Sequence, residues 1–234
     1  MDFQFQQFSI CDTVCAMKVG TDGVLLGAWA KIRDAKTAID VGTGSGLIAL
    51  MIAQRNSDLI VDAIEIDADA AQQARENASK SPWSDRVRVQ AISLAEFARN
   101  QHNHDQYDLV ISNPPFFGNQ QESTNQRRAL ARQTGFSMKE FLSSSYELAS
   151  PRGRICMITP FDQHGKVTGL IKQTNWWAAQ TVTVKPLPTS MPKRILWELS
   201  KAKVDCVESE IVLEEKHHCR SVEFAKLTSE FYLS

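Results

Sequence analysis

Short apolar runs and amphipathic stretches take turns along most of the chain. TAIDV (37–41), LIVDAIEI (59–66), RVRVQA (86–91), YDLVIS (107–112) and GRICMITP (153–160) are brief and rich in β-branched residues, as strands are. Between them lie stretches with helical character: SGLIALMIAQR (45–55), the alanine-rich DADAAQQARENASK (67–80) capped by Asp67, and SLAEFARN (93–100). SMKEFLSSSYELAS (137–150) follows, with Pro151 expected to stop it, and then DQHGKVTGLIKQT (162–174), weakened by two glycines. TDGVLLGAWAKIR (21–33) precedes the first strand as a helix opened by Thr21 or Asp22. WWAAQTVTV (176–184) and RILWELSK (194–201) read as two more strands, joined by the proline-rich KPLPTSMPK (185–193) with no helix between them.

Regular alternation predicts an α/β fold, with parallel strands side by side and helices on both faces. The last two strands imply an antiparallel pair at one edge, making a mostly parallel, seven-stranded sheet. Ligands of such sheets lie beyond the carboxyl ends of the strands, near the reversal of strand order. Three loops therefore matter most, those after residues 41, 65 and 112.

Composition narrows the class. The chain has 234 residues, 43% of them hydrophobic and 23% charged, enough for one large domain with a sizeable core. No repeat or linker divides it, so residues 1–234 read as one domain, with 1–36 as a covering segment and 117–136 as a polar substrate loop. MDFQFQQF has no signal-peptide pattern, and no apolar run approaches the ~18 residues of a membrane span. Five cysteines without a CxxC pair fit reduced thiols in the cytoplasm. His217-His218-Cys219 with Cys206 matches no standard zinc spacing, so no metal is expected. Trp176, Trp177 and Trp197 occupy strand positions and read as core.

Charge is uneven. Residues 1–112 hold 10 basic and 15 acidic side chains, whereas residues 127–203 hold 13 basic and 4 acidic. That second stretch either solvates a surface or faces phosphates. Arg127, Arg128 and Arg132 lie in the polar loop, and the last two are spaced to share one helical face. They are candidates for RNA phosphate contacts.

Asp40-Val41-Gly42-Thr43-Gly44-Ser45-Gly46 follows the first strand and opens a helix. Its glycines permit a tight turn against which a ligand can lie on bare backbone. A dinucleotide fingerprint would place its third glycine at position 47, where Leu47 stands. The D-x-G-x-G-x-G spacing instead resembles the first motif of S-adenosylmethionine (SAM)-dependent methyltransferases. There Gly42, Gly44 and Gly46 would line the cofactor, and Asp40 would serve its ammonium, directly or through water. Glu65, at the end of the second strand, is placed to accept two ribose hydroxyls.

ISNPPFFG (111–118) adds the chemistry of a second substrate. Pro114 and Pro115 have no N–H, so the backbone there can only accept hydrogen bonds, and Pro115 holds Pro114 extended. The Asn113 side-chain carbonyl and the Pro114 carbonyl suit a group with two N–H bonds, such as an exocyclic or amide –NH2. Phe116 supplies a face on which a planar base can stack, and Phe117 reads as packing. The run resembles the [N/D]-P-P-[F/Y/W] motif of amino-methyltransferases, which act on adenine, cytosine or glutamine nitrogens.

FQQFSI (5–10), CAMKVGTDGVLLGAWA (15–30), GSGLIALMIAQR (44–55), SPW (81–83) and FYL (231–233) are similar to the tRNA1(Val) adenine N6-methyltransferase family. The similarity runs through most of the chain, strongest over 3–116 and patchy over 160–220. It implies a Rossmann-like class I methyltransferase fold, SAM as cofactor, and valine tRNA as substrate, modified at the adenine 3′ to the anticodon (position 37). No membrane or obligate protein partner is implied. It makes Thr21 and Asp22 candidates for holding the methionine end of SAM, with helix capping as the other reading. Many relatives have tyrosine at Phe116, a histidine and an arginine at Cys11 and Val14, and an adenine-contacting aspartate at Ser93. Two other functions compete: protein glutamine N5-methylation, whose enzymes usually carry a helical domain that residues 1–36 are too few to form, and RNA binding without catalysis.

Overall fold

Each apolar run named above becomes a strand. The computed structural model describes residues 2–115 and 137–233. A small antiparallel hairpin, β1 (Phe3–Gln4) and β2 (Ser9–Ile10), leads to α1 (Thr21–Trp29). Strands and helices then alternate: β3 (Thr37–Val41), α2 (Leu47–Arg55), β4 (Ile60–Glu65), α3 (Ala68–Ser79), β5 (Val87–Ala91), α4 (Leu94–Arg99) and β6 (Tyr107–Ser112). Beyond residue 136 come α5 (Met138–Leu148), β7 (Ala149–Pro160), α6 (His164–Ile171), β8 (Trp177–Lys185) and β9 (Arg194–Ser200). The chain closes with β10 (Val207–Val212), the hairpin β11 (Glu214–Lys216) and β12 (Cys219–Arg220), and α7 (Val222–Leu227).

The main sheet has eight strands, in the order β10-β8-β9-β7-β6-β3-β4-β5. Only β9 runs against its neighbours, antiparallel to both β7 and β8. The expected antiparallel pair therefore forms, but β10 covers it by pairing parallel to β8. No apolar run announces β10: its sequence is VESEIV, and only Ile211 is buried. An edge strand needs backbone pairing more than a buried face, and acidic side chains keep the open edge from recruiting another strand. Lys185 holds Glu210 at 2.9 Å across this last pair.

Alternation along β3 sends Ala38 to one core layer and Ile39 to the other. The first layer packs α1, α2, α3 and α7 on the sheet, and the second packs α4, α5 and α6. Pro151 does not stop α5, which already ends at Leu148. It falls inside β7, in an irregular stretch where Tyr107 pairs Ala149 but Leu109 pairs Arg154. A bulge tolerates proline because the missing N–H is not needed in the ladder.

Segments far apart in sequence close the first layer. Phe5 stacks on Phe8 at 4.6 Å, Phe8 meets Trp83 edge-on at 5.6 Å, and Phe5 lies 6.1 Å from Tyr232. Gln6 fastens the cluster by donating its backbone N–H to the Phe231 carbonyl and its side-chain amide to those of Ser229 and Tyr232. FQQF, SPW and FYL are thus one aromatic joint. Trp176 and Trp197 are buried as expected, but Trp177 is 43% exposed beneath the Lys203 ammonium.

Candidate active site

The strand order reverses at β3. β4 and β5 lie on one side of it, and β6 returns to the other. The carboxyl ends of β3 and β6 are therefore neighbours, and Ser112 ties them by donating its hydroxyl to the Val41 carbonyl at 2.8 Å. That bond sets Asn113-Pro114-Pro115 beside the glycine loop, as expected of a switch point.

The loop turns through left-handed glycines, with φ of 69° at Gly42, 56° at Gly44 and 84° at Gly46. A Cβ added at Gly42 or Gly44 would meet nothing within 4 Å, so bare backbone faces open space there. Gly46 differs. A Cβ on it would lie in ordinary contact with Ala74 Cβ at 3.5 Å, so what calls for glycine there is the left-handed backbone rather than space.

Asp40 lies beneath the loop. It is fully buried, and its Oδ2 accepts the Thr43 hydroxyl at 2.6 Å and the Ala49 N–H at 3.2 Å. Ala49 carries one of the N–H groups that the first turn of α2 leaves without an internal partner. Asp40 Oδ2 therefore braces the loop and the helix start from beneath, while Oδ1 is buried without a hydrogen-bond partner among the described residues. Burial pushes its carboxyl from 3.8 up to about 7, outweighing the bonds from Thr43 and Ala49. Because the folded state holds this proton more tightly than the unfolded chain, the stability it contributes is complete below about pH 4 and lost as pH rises through about 7. Asp40→Asn, which keeps an oxygen for both donors, should flatten that loss, of order a few kcal/mol. Urea unfolding midpoints at several pH values for both proteins check this; equal slopes would refute it.

Glu65 crosses from the end of β4 to the glycine loop. Its Oε2 accepts the Gly44 N–H at 2.9 Å, and its Oε1 accepts that of Asp67 at 3.1 Å. A carboxylate offers about four acceptor sites, so capacity remains here to accept a hydroxyl. Burial raises the Glu65 carboxyl above its ordinary value, against the N–H groups of Asp67, Gly44 and Ile66, which favour the charge. Asp67 caps α3 as expected, accepting from Asp69 and Ala70. Ser93 is also a cap, accepting the Glu96 N–H at 3.2 Å at the start of α4, while lining the main pocket.

That pocket has a volume of about 410 Å³. Gly42, Gly44 and Glu65 form its polar side, Ile66, Ile92 and Leu94 an apolar side, and Asn113 and Pro115 one end. Ile66 is 45% exposed, an aliphatic side chain held open directly after the acid. A smaller pocket of about 240 Å³ adjoins across the same glycines and Asn113, lined by Lys18, Thr21 and Asp22. Neither Thr21 nor Asp22 caps α1. Gly20 occupies the cap position without a side-chain bond, and Asp22 pairs with Arg194 Nε at 2.9 Å. Pro114 is buried between Asn113 and Pro115. Phe116, Phe117, Arg127, Arg128 and Arg132 lie outside the described residues.

A third wall comes from within residues 1–36. Ala16 and Met17 line the main pocket from a segment folded on itself, in which Asp12 Oδ2 accepts the Val19 N–H at 2.8 Å. Two α3 side chains hold that segment. Asn77 grips both backbone groups of Cys11, and Gln73 accepts the Val14 N–H. A helix with Gln73 and Asn77 four apart carried this signal, but their partners lie some sixty residues away in sequence.

Space above two glycines, an acid with spare lone pairs and an adjacent apolar slot fit a nucleoside carrying a charged amino-acid tail. Among the described residues, no group of His, Cys, Asp and Glu side chains is arranged to hold a metal ion, and no helix is long and apolar enough to cross a membrane.

The family model described as the methyltransferase small domain matches residues 18–148. The tRNA1(Val) (adenine(37)-N6)-methyltransferase of Parabacteroides distasonis is 42% identical over 233 residues, covering 99% of this chain and 97% of that one. Its counterpart from Trichodesmium erythraeum is 42% identical over 234 residues, with the same coverage. A crystal structure described as a predicted O-methyltransferase from Agrobacterium tumefaciens superposes with a TM-score of 0.71 over 90% of this chain and 96% of that one. At 16% identity that likeness speaks for the fold alone.

Proposed function

The chain belongs to the methyltransferase small-domain family and, within it, to the tRNA1(Val) (adenine(37)-N6)-methyltransferases, and from that premise we propose how its residues carry out methyl transfer. It is a SAM-dependent enzyme that modifies the N6 of adenine in tRNA. Our reading of the site assigns the main pocket to SAM, with the Glu65 carboxylate on the ribose and Ile66, Ile92 and Leu94 around the adenine ring. Gly42 and Gly44 offer bare backbone to the chain between ribose and sulfonium. Thr21, Lys18 and Asp22 border the smaller pocket, to which we assign the methionine end. Bound SAM supplies an electrophilic methyl group.

The observation that carries the reading is Asn113, which borders both pockets at the switch point. The adenine at position 37, in the anticodon loop of valine tRNA, must leave its stack to reach it. Asn113 and the Pro114 carbonyl accept the two N6 hydrogens, which turns the nitrogen lone pair toward the incoming methyl. Phe116 stacks on the base, worth ~1–3 kcal/mol. As the N–C bond forms and the C–S bond breaks, the nitrogen becomes acidic and releases its proton, so positioning dominates over general-base catalysis. Five free cysteines fit a reducing cytoplasm, where tRNA is also found. Incubating the purified protein with SAM carrying a labelled methyl should label tRNA and not a glutamine-bearing peptide. Label on the peptide alone would refute this reading.

The basic stretch divides between the two ends of the sheet. Lys185, Lys193 and Arg194 lie at the site end, whereas Arg154 and Lys201 lie at the opposite end and pair with Glu198 and Asp105. We assign RNA phosphate contacts to Arg128 and Arg132. Replacing both with glutamine should weaken tRNA binding and flatten log K against log salt by one to two units of about 0.7–0.9. SAM affinity should stay at the wild-type level. Filter binding at several salt concentrations measures the slope, and a wild-type slope in the double variant would move the RNA elsewhere.

A further inference from the structure

Asn77 is 2% exposed and sits in the last turn of α3, where a short amide has little reason to be buried unless its bonds are made. Three are made, all to backbone. Its Nδ2 donates to the Cys11 carbonyl at 2.7 Å and to the Ser45 carbonyl at 2.8 Å, and its Oδ1 accepts the Cys11 N–H at 3.0 Å. Cys11 begins the segment that carries Ala16 and Met17 into the main pocket, and Ser45 belongs to the glycine loop opposite. One side chain therefore ties the cover of the pocket to its floor. Gln73, one turn earlier, also grips the cover through Thr13 and Val14, but makes no bond to the glycine loop.

We propose that Asn77 is a positioning residue for the cofactor, fixing the distance between the 11–19 segment and the 42–46 loop so that SAM meets a preformed slot. The inference rests on assigning that pocket to SAM. An amide is the one side chain of this length that can donate and accept at once, which is what Cys11 requires. An aspartate at position 77 would face two carbonyl oxygens without a donor.

The test compares Asn77→Ala with Gln73→Ala. Without cofactor, amide hydrogen exchange in Asn77→Ala should accelerate in peptides covering both 9–19 and 40–48, and in Gln73→Ala only in the first. Calorimetry should show SAM affinity about tenfold or more weaker in Asn77→Ala, with kcat at saturating SAM within about threefold of wild type. KM for SAM should rise correspondingly. Exchange that accelerates evenly along the whole chain, or SAM affinity within twofold of wild type in a folded Asn77→Ala protein, overturns the proposal. So does a failure to fold in Asn77→Ala if Gln73→Ala leaves exchange in 9–19 unchanged. A wild-type protein that binds no SAM would refute the assignment of the pocket instead, while the cofactor-free exchange data would still decide the coupling.

Discussion

Asn113→Ala should lower methyl transfer to tRNA by about a hundredfold or more while SAM affinity changes by no more than a few-fold. In the proposed mechanism the side chain contributes an acceptor to the reacting nitrogen, and alanine would remove it without touching the Ser112–Val41 bond that holds the strand ends together. With only the Pro114 carbonyl left, the amine can rotate and its lone pair loses direction. In the proposed mechanism the loss falls on kcat, because the stacking assigned to Phe116 would still hold the base. Steady-state kinetics with tRNA and calorimetry with SAM separate the two effects. If turnover and SAM affinity collapse together, Asn113 is a structural support of the pocket wall.

Glu65→Ala should do the reverse, weakening SAM by about tenfold or more, since hydrogen bonds to a charged group are worth ~1.5–3 kcal/mol each. The loss has two sources. The ribose hydroxyls lose their acceptor, and the N–H groups of Gly44 and Asp67 lose the carboxylate that aligns them. Glu65→Gln keeps one acceptor oxygen and should fall between. At saturating SAM, Glu65→Ala should recover most of its turnover, because Asn113 and Pro114 are untouched. Unchanged SAM affinity would exclude the ribose role.

β3, β4 and β6 were legible because each is an apolar run between helices, as a buried parallel strand must be, and the edge strand β5 was legible from its alternation. The site loops were legible because glycine and proline mark backbone that other residues cannot adopt or satisfy. What stayed hidden was local in neither sense. β10 is an exposed edge whose pattern is set by solvent, and Trp177 opens β8 at an exposed position directly after the buried Trp176. The motif spacing at Asp40 suggested a ligand contact but gave no sign of the bonds that its Oδ2 makes to Thr43 and Ala49. The cover formed by 11–19 and its hold by Asn77 depend on pairings across the fold. Thr21 and Asp22 could not be separated from helix capping until Gly20 was found in the cap position.

The central claim is that this protein places a methyl group on N6 of the adenine 3′ to the anticodon of valine tRNA. The direct measurement is mass spectrometry of nuclease fragments from valine tRNA after incubation with the purified protein and SAM, alongside a transcript carrying guanosine at position 37. The account predicts a single added methyl in the anticodon-loop fragment, released as N6-methyladenosine, and none in the guanosine transcript. A methyl group on another fragment, on another atom of adenine, or on the guanosine transcript to the same extent would contradict it.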